Sequence, residues 1–198
     1  LSNYAAKATD EDGNLIGNYK TFADAVTAAQ EIEYSTLTLL DDITVTKEQK
    51  IKSGKFTLDL NGKTLLNEIG GVLYIRSDAD LTIEDSSGGG TIESQHDACD
   101  SIYNEGKLTV ESGIVKGDGG IGNYGTLIFN GGTVESVTYE AISNGGTAGI
   151  YGGNLKSEKR AGIENRDSAT FNIYGGEIDG ITDRKSTRLN SSHYSRSR

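Results

Sequence analysis

The sequence repeats itself about every 20 residues, and this repeat restricts the possible folds more than any other feature. The tripeptide Ile-x-Asn begins at residues 102, 121, 142 and 163, so successive copies are 19, 21 and 21 residues apart. Each copy precedes an alternating apolar pattern, a turn that contains Gly and a further short strand pattern. One such unit cannot bury its inward face alone, whereas stacked units can. The repeat therefore predicts a solenoid of parallel, in-register strands.

Inward apolar positions can be followed through most of the chain. The series of equivalent residues is Leu39, Leu60, Ile83, Val110, Phe129, Ile150 and Ile173. It predicts an all-β fold, a parallel β-helix of about seven turns, in which each turn rises by roughly 4.8 Å. The 27 Gly residues agree with this fold, because Gly weakens helices and supplies tight turns.

The N-terminal segment has a different pattern. Residues 5–9 and 15–19 alternate on either side of Asp12-Gly13, which is a β-hairpin turn signal. Thr21 then precedes an Ala-rich amphipathic stretch, residues 22–30, and is a suitable N-cap for a short helix. Because the first coil of a solenoid exposes an open end, this helix is predicted to cap it. We therefore expect a hairpin and capping helix in residues 1–35 and a truncated β-helix in residues 36–182.

The composition changes abruptly at residue 183. Residues 183–198 carry five basic side chains and one acid, whereas residues 1–182 carry 14 basic and 28 acidic ones. Residues 183–193 resemble the translation of a common sequencing adapter, so the tail is interpreted as an artefact, disordered by its composition. We expect the natural protein to continue beyond Thr182 as part of a larger parent chain. The alternative is a genuine basic arm for an anionic partner.

Two columns of polar residues are expected along the solenoid. The first consists of the Asn of each repeated tripeptide, which should point inward at a bend and bond to its neighbours as a structural ladder: Asn104, Asn123, Asn144 and Asn165. The second follows the inward centre of the third strand and alternates in charge, as cross-strand pairing favours: Glu93, Lys116, Glu135, Lys156 and Asp179.

A family resemblance agrees with this pattern. It lies in Thr-Phe-Ala-Asp-Ala-Val at 21–26, Leu-Thr-Leu-Leu-Asp-Asp-Ile-Thr-Val at 37–45 and Leu-Asp-Leu-Asn-Gly-Lys-Thr-Leu at 58–65. These segments, with the later Gly-Gly turns, resemble right-handed parallel β-helix (pectin-lyase-like) domains of large secreted or surface-anchored bacterial proteins that are described as adhesin-like. The resemblance implies a right-handed β-helix and an extracellular or cell-surface location in bacteria. It implies no activity, because the fold carries lyases, hydrolases and inert spacers.

Polysaccharide lyases of this fold use Ca²⁺-binding carboxylates and a basic residue. The candidate carboxylates for a Ca²⁺ site are Asp78, Asp80 and Asp85, with the pair Asp97 and Asp100 as an alternative, and Arg76 is the nearest candidate base. Strand alternation points some of the first three apart, so we expect no cofactor and no catalytic residue. The nearby His96 and Cys99 suggest a nucleophile, but without an orienting partner a surface loop is the favoured interpretation.

A binding surface is the better candidate for function. Outward positions before the Gly turns place Tyr151 and Tyr174 on neighbouring rungs, in one column with Asn130 and beside Asn172. This strip of aromatic rings and amides could bind sugar rings. The alternative is that the stacked tyrosines only stabilise adjacent strands, by about 0.2–1 kcal/mol per pair.

The sequence therefore predicts a non-catalytic, extracellular β-helical stalk or adhesin-like module, with carbohydrate as the candidate partner. The alternative is a polysaccharide lyase or glycoside hydrolase on the same fold. The net charge of −14 before the tail argues against nucleic acid as a partner. No apolar run approaches the roughly 20 residues that a membrane-spanning helix needs, so we expect no membrane contact within this segment.

Overall fold

A computed structural model describes residues 4–166 and 168–183. The protein is mostly β, with 53% strand and 5% helix, and forms a parallel β-solenoid of about six turns. The predicted fold class is confirmed. The predicted number of turns was about seven. One sheet contains seven stacked strands, and the chain makes one complete turn between each strand and the next, which gives six turns. Residues 184–198, most of the adapter-like tail, lie outside the described residues.

The N-terminal segment forms the predicted hairpin and helix. Strand β1 (Ala6–Thr9) pairs antiparallel with β2 (Leu15–Tyr19), and helix α1 (Phe22–Gln30) follows. The Thr21 hydroxyl caps the helix by accepting a hydrogen bond from the backbone N–H of Asp24 at 3.1 Å. The apolar face of the helix is buried, as are the residues of the first coil that it covers. The helix thereby closes the N-terminal end of the core.

The first coils are built from long strands. They are β3 (Ser35–Leu39), β4 (Ile43–Val45), β5 (Gln49–Asp59), β6 (Thr64–Asn67), β7 (Leu73–Glu84) and β8 (Thr91–Ser94). Strands β5 and β7 run across two faces of the solenoid, since the two halves of β7 pair with different strands of the next coil.

The later coils each contribute three short strands, one to each face. These strands are β9 (Asp100–Asn104), β10 (Lys107–Val110), β11 (Ile114–Gly117), β12 (Gly119–Asn123), β13 (Thr126–Phe129), β14 (Thr133–Ser136), β15 (Ile142–Asn144), β16 (Thr147–Ile150), β17 (Asn154–Ser157), β18 (Ile163–Asn165), β19 (Thr170–Ile173), β20 (Glu177–Ile178) and β21 (Ile181–Asp183). Every pairing between coils is parallel and in register, apart from one register shift between β5 and β7. We refer to the face of β9, β12, β15 and β18 as the Ile-x-Asn face.

The inward columns are apolar, but two equivalences predicted from the sequence are wrong. Ile83 pairs with Leu58, which in turn pairs with Leu37. The residues equivalent to Ile83 are therefore Leu58 and Leu37, and the predicted residues Leu60 and Leu39 each lie two positions further along the chain. All four Leu side chains are buried, because a shift of two residues along a strand returns a side chain to the same face.

The alternating charges lie in the predicted register. Lys116 pairs with Glu93 on one side and with Glu135 on the other, and Glu135 pairs with Lys156. The Lys116 Nζ atom lies 3.5 Å from Glu93 Oε1. This column is therefore a solvated surface whose charges neutralise one another between coils.

Candidate functional site

The four asparagines of the Ile-x-Asn repeats form a continuous buried ladder. Asn104 Nδ2 donates to Asn123 Oδ1 at 2.7 Å, and the same bond joins Asn123 to Asn144 and Asn144 to Asn165 at 2.8 Å. The same amide nitrogens also donate to backbone carbonyls at the following bend, as for Asn123 and the carbonyl of Thr147 at 3.1 Å. The amide groups are thus used within the core and hold the bend of each coil.

Tyr151 and Tyr174 form a stacked pair on the surface. Their ring centroids are 4.6 Å apart, the ring planes are inclined by 12°, and the residues are 51% and 55% exposed. The facing sides of the two rings cover each other. A ligand would therefore contact the exposed edges and hydroxyl groups, together with an outer ring face.

The amides of the predicted strip have different surroundings. Asn130 is exposed and lies in the coil before that of Tyr151. Its side chain donates a hydrogen bond of 2.8 Å to Oε1 of Glu111, which is one coil earlier still. Asn172 is half-buried and pairs with Gly149, against which the ring of Tyr151 leans. The structure thus places Glu111, Asn130 and the two tyrosines along one edge of the solenoid, with Asn172 beside them.

The three aspartates predicted for Ca²⁺ have separate roles. Asp78 is exposed, Asp80 accepts a hydrogen bond from Lys107 Nζ at 3.0 Å, and Asp85 accepts from the backbone N–H groups of Gly62 and Gly90, both at 2.7 Å. Across the described residues, no three His, Cys, Asp or Glu side chains form a group that could hold a metal ion. The candidate base Arg76 lies 3.8 Å from Glu105 and donates to the Tyr74 hydroxyl at 2.9 Å.

Cys99 and His96 do not form a nucleophile and base. The Cys99 Sγ lies 3.3 Å from Ser94 Oγ and donates to the backbone carbonyl of His96 at 3.4 Å. Burial raises the pKa of the Cys99 thiol, which is opposite to the activation that a nucleophilic thiolate needs.

A cleft of about 330 Å³ lies on the Ile-x-Asn face, and the sequence did not predict it. Its charged lining residues are Glu48, Asp100, Glu140 and Arg166, and its other lining residues include Tyr103, Tyr139 and Ser143. It combines acceptors, aromatic rings and a small polar residue, as ligand sites commonly do.

Glycines in the next coil make room for the Asp100 side chain, which lines the cleft. Gly119 pairs with Asp100 across adjacent coils, and the Asp100 carboxylate occupies the space above Gly119 and Gly122. A Cβ at Gly119 would lie 2.5 Å from Asp100 Oδ1, and one at Gly122 would conflict with Oδ2. Burial raises the pKa of Asp100, the charge of Glu140 adds to this effect, and Arg166 opposes it.

Other ionic groups around the cleft are already paired. Glu140 is 8% exposed and lies 3.2 Å from Arg160, and Glu164 is 5% exposed and lies 3.7 Å from Arg166. Arg166 also donates to the Tyr124 hydroxyl. Glu48 also lines the cleft, and its Oε1 atom and the backbone carbonyl oxygen of Asp100 both lie 2.9 Å from the position that a Cβ of Gly71 would take. Burial raises the pKa of the Glu48 carboxyl group, and the charge of Lys50 opposes this rise.

Ser143 is the unusual member of the lining. It is 6% exposed, and its hydroxyl has no hydrogen-bond partner. It is the middle residue of its Ile-x-Asn tripeptide, and the corresponding residues in the other copies are Tyr103, Gly122 and Glu164. These middle positions point outward. The small residues among them are the sequence signal that could have indicated a depression.

Comparison with protein-family models, with curated proteins and with solved structures finds no match for this chain. Within the part of the chain that the structure describes, no helix is long and apolar enough to cross a membrane. Function is therefore inferred from the solenoid and from the side chains on its surface.

Proposed function

We propose that this chain is a non-catalytic β-helical module of a secreted or cell-surface bacterial protein, which acts as a rigid spacer and contacts carbohydrate through its tyrosine edge. The tyrosine edge comprises Glu111, Asn130, Tyr151 and Tyr174. The observation that carries the proposal is the exposed, stacked pair Tyr151 and Tyr174, 4.6 Å between centroids, on a rigid column of strands.

The chemistry of this edge suits a polyhydroxylated ligand. Tyrosine offers a large apolar surface with a polar hydroxyl and loses little conformational entropy on binding. Asn130 and Glu111 are exposed and form a donor–acceptor pair at 2.8 Å, to which sugar hydroxyls can bond. Four rungs span on the order of 14 Å at one inter-strand spacing per rung, so the contact would extend along a chain rather than enclose one ring.

The test is retention of the protein on immobilised plant and bacterial polysaccharides, compared between the wild type and the double variant Tyr151→Ala/Tyr174→Ala. Retention should be lost in this variant and kept in Tyr34→Ala, a control that removes a tyrosine of similar exposure, 49%, outside the edge. Equal retention of the wild type and the double variant would contradict the proposal.

A polysaccharide lyase or hydrolase is the second candidate. The observation that favours it is the cleft, in which burial raises the pKa of both Asp100 and Glu48, as acid catalysis requires. Release of reducing ends or of unsaturated products by the wild type, abolished in Asp100→Asn, would establish an enzyme and displace the spacer proposal.

A further inference from the structure

The cleft on the Ile-x-Asn face contains two carboxyl groups without a salt-bridge partner, Asp100 and Glu48, and a buried hydroxyl without a hydrogen-bond partner, Ser143, among the described residues. We propose that it binds a single amino-sugar unit, whose protonated amine lies between Asp100 and Glu48 and one of whose hydroxyls bonds to Ser143. This site is on a different face from the tyrosine edge and stands independently of it.

The charges in the cleft favour a cationic ligand. Both nearby guanidinium groups are engaged, Arg160 with Glu140 at 3.2 Å and Arg166 with Glu164 at 3.7 Å. Among the described residues, no cation lies within salt-bridge distance of Asp100 or Glu48. An ammonium group would supply the missing positive charge through charge-assisted hydrogen bonds, whereas an anionic ligand would be repelled.

The unpartnered Ser143 hydroxyl indicates a ligand independently of these charges. Buried hydroxyl groups nearly always have a hydrogen-bond partner, and an exception calls for a specific reason. Ser143 lines the cleft, is 6% exposed and has no partner for its Oγ atom. A ligand hydroxyl would complete this bond, because a serine hydroxyl can both donate and accept.

The dimensions and lining select a small, hydroxylated ligand. About 330 Å³ is at the lower end of the range for ligand pockets, so the cleft suits one ring rather than a chain. Tyr103 and Tyr139 line the cleft, and the parts of their rings that are left free by Tyr124, stacked on Tyr103 at 5.0 Å, and by Arg160, 5.2 Å from the Tyr139 ring centroid, can contact the apolar face of a sugar ring. A bare metal ion fits less well, since within residues 4–166 and 168–183 no three suitable side chains converge.

The experiment is a titration of the full chain with D-glucosamine, followed by NMR or calorimetry. Glucosamine should bind, and N-acetylglucosamine and glucose, which lack the charge, should bind at least about tenfold more weakly. Absence of glucosamine binding, or equal binding of the acetylated sugar, would overturn the proposal. Tighter binding of lysine amide would also overturn it, because the cleft would then recognise an amine without the sugar.

Three variants locate the site. Asp100→Asn should weaken glucosamine binding about tenfold, and Ser143→Ala should weaken it without loss of stability. Gly122→Ala introduces a Cβ that displaces the Asp100 carboxylate, and it should abolish binding while the strand persists. The matched control Gly149→Ala places a Cβ 3.0 Å from Tyr151 Cε2 on another face and should bind normally. Normal binding by Asp100→Asn and Gly122→Ala would refute the site even if glucosamine binds elsewhere.

The amino-sugar site in the cleft and the carbohydrate contact at the tyrosine edge can be disproved separately. Glucosamine binding depends on the cleft variants, and polysaccharide retention depends on Tyr151 and Tyr174. Asp12→Asn, a change at an exposed turn outside the cleft, controls for the loss of one negative charge and should leave both measurements unchanged.

Discussion

The Oδ1 atom of Asn104 has no hydrogen-bond partner, because the residue paired with Asn104 in the preceding coil is Ile75. The asparagine ladder therefore begins abruptly on an apolar side chain. The link to the next inward residue also changes here. Leu81 follows Ile75 by six positions in the sequence, whereas Leu108 follows Asn104 by only four. The amide is thus associated with the tighter bend, where its donors bond to backbone carbonyls.

The ladder predicts unequal costs for the same substitution at its end and in its middle. Asn123→Leu removes an amide that bonds to Asn104, Asn144 and the carbonyl of Thr147. It should lower the free energy of unfolding by about 2–4 kcal/mol, because several buried groups lose partners. Asn104→Leu should cost less, since the new side chain would contact Ile75 and the unpartnered Oδ1 is removed. Urea unfolding of both variants measures the difference, and an equal or reversed order would contradict this account.

Two glycines with similar backbone angles separate conformational strain from steric conflict. Gly13 has φ +82° and no atom within 4 Å of an added Cβ, whereas Gly132 has φ +87° and an added Cβ 2.5 Å from the carbonyl oxygen of Gly113. Gly13→Ala should cost about 1–2 kcal/mol from strain alone. Gly132→Ala should cost at least about 3 kcal/mol or prevent folding, because the conflicting atom is backbone in the adjacent coil. Thermal unfolding of both variants tests this, and similar costs would show that strain alone explains the Gly turns.

The alternating charge column predicts a stability change that depends on salt. Lys116→Glu would place a third negative charge between Glu93 and Glu135. We expect a loss of about 1 kcal/mol at low ionic strength that shrinks in about 0.5 M NaCl, because like charges directly opposite each other repel and salt screens them. Lys116→Gln, which removes attraction without adding repulsion, should show a smaller and similarly screened loss. A loss that does not respond to salt would indicate packing rather than charge.

The sequence predicted the solenoid because each sequence repeat forms one coil, so residues at the same place in successive repeats are stacked on one another in space. The Ile-x-Asn copies and the alternating charges are consequently in the expected register. Leu39 and Leu60 were misplaced because strand alternation has a period of two, and a slip of two residues leaves every inward residue inward. Hydrophobic patterning alone cannot detect such a slip in the long early strands.

The cleft could not be predicted in the same way. It depends on the Asp100 side chain, which lies over glycines that are 19 and 22 residues later in the sequence. Period and spacing identify which residues face outward, but they do not show which outward side chain fills the space that glycine leaves. That depends on the conformation of one carboxylate and on the loop that precedes β9.

Asp100 predicts a pH dependence of stability with a defined sign. Burial raises the pKa of Asp100 above the ordinary value of 3.8, so the native state holds this proton more tightly than the unfolded chain. The contribution of Asp100 therefore favours folding at low pH and is lost as pH rises from about 3.8 through the raised native pKa. Asp100→Asn should consequently be more stable than the wild type at neutral pH, and this advantage should vanish in acid.

Asp118 provides a control of opposite sign. Hydrogen bonds from the Thr138 side chain and the Ala98 backbone N–H lower the pKa of Asp118 below 3.8, so its contribution to stability is present at neutral pH. That contribution is lost as pH falls through the lowered native pKa. Asp118→Asn should therefore be less stable than the wild type at neutral pH and should approach it in acid. Urea unfolding of the three proteins between about pH 3 and pH 7 gives both differences. Curves of the same sign for the two variants would show that burial does not dominate at Asp100.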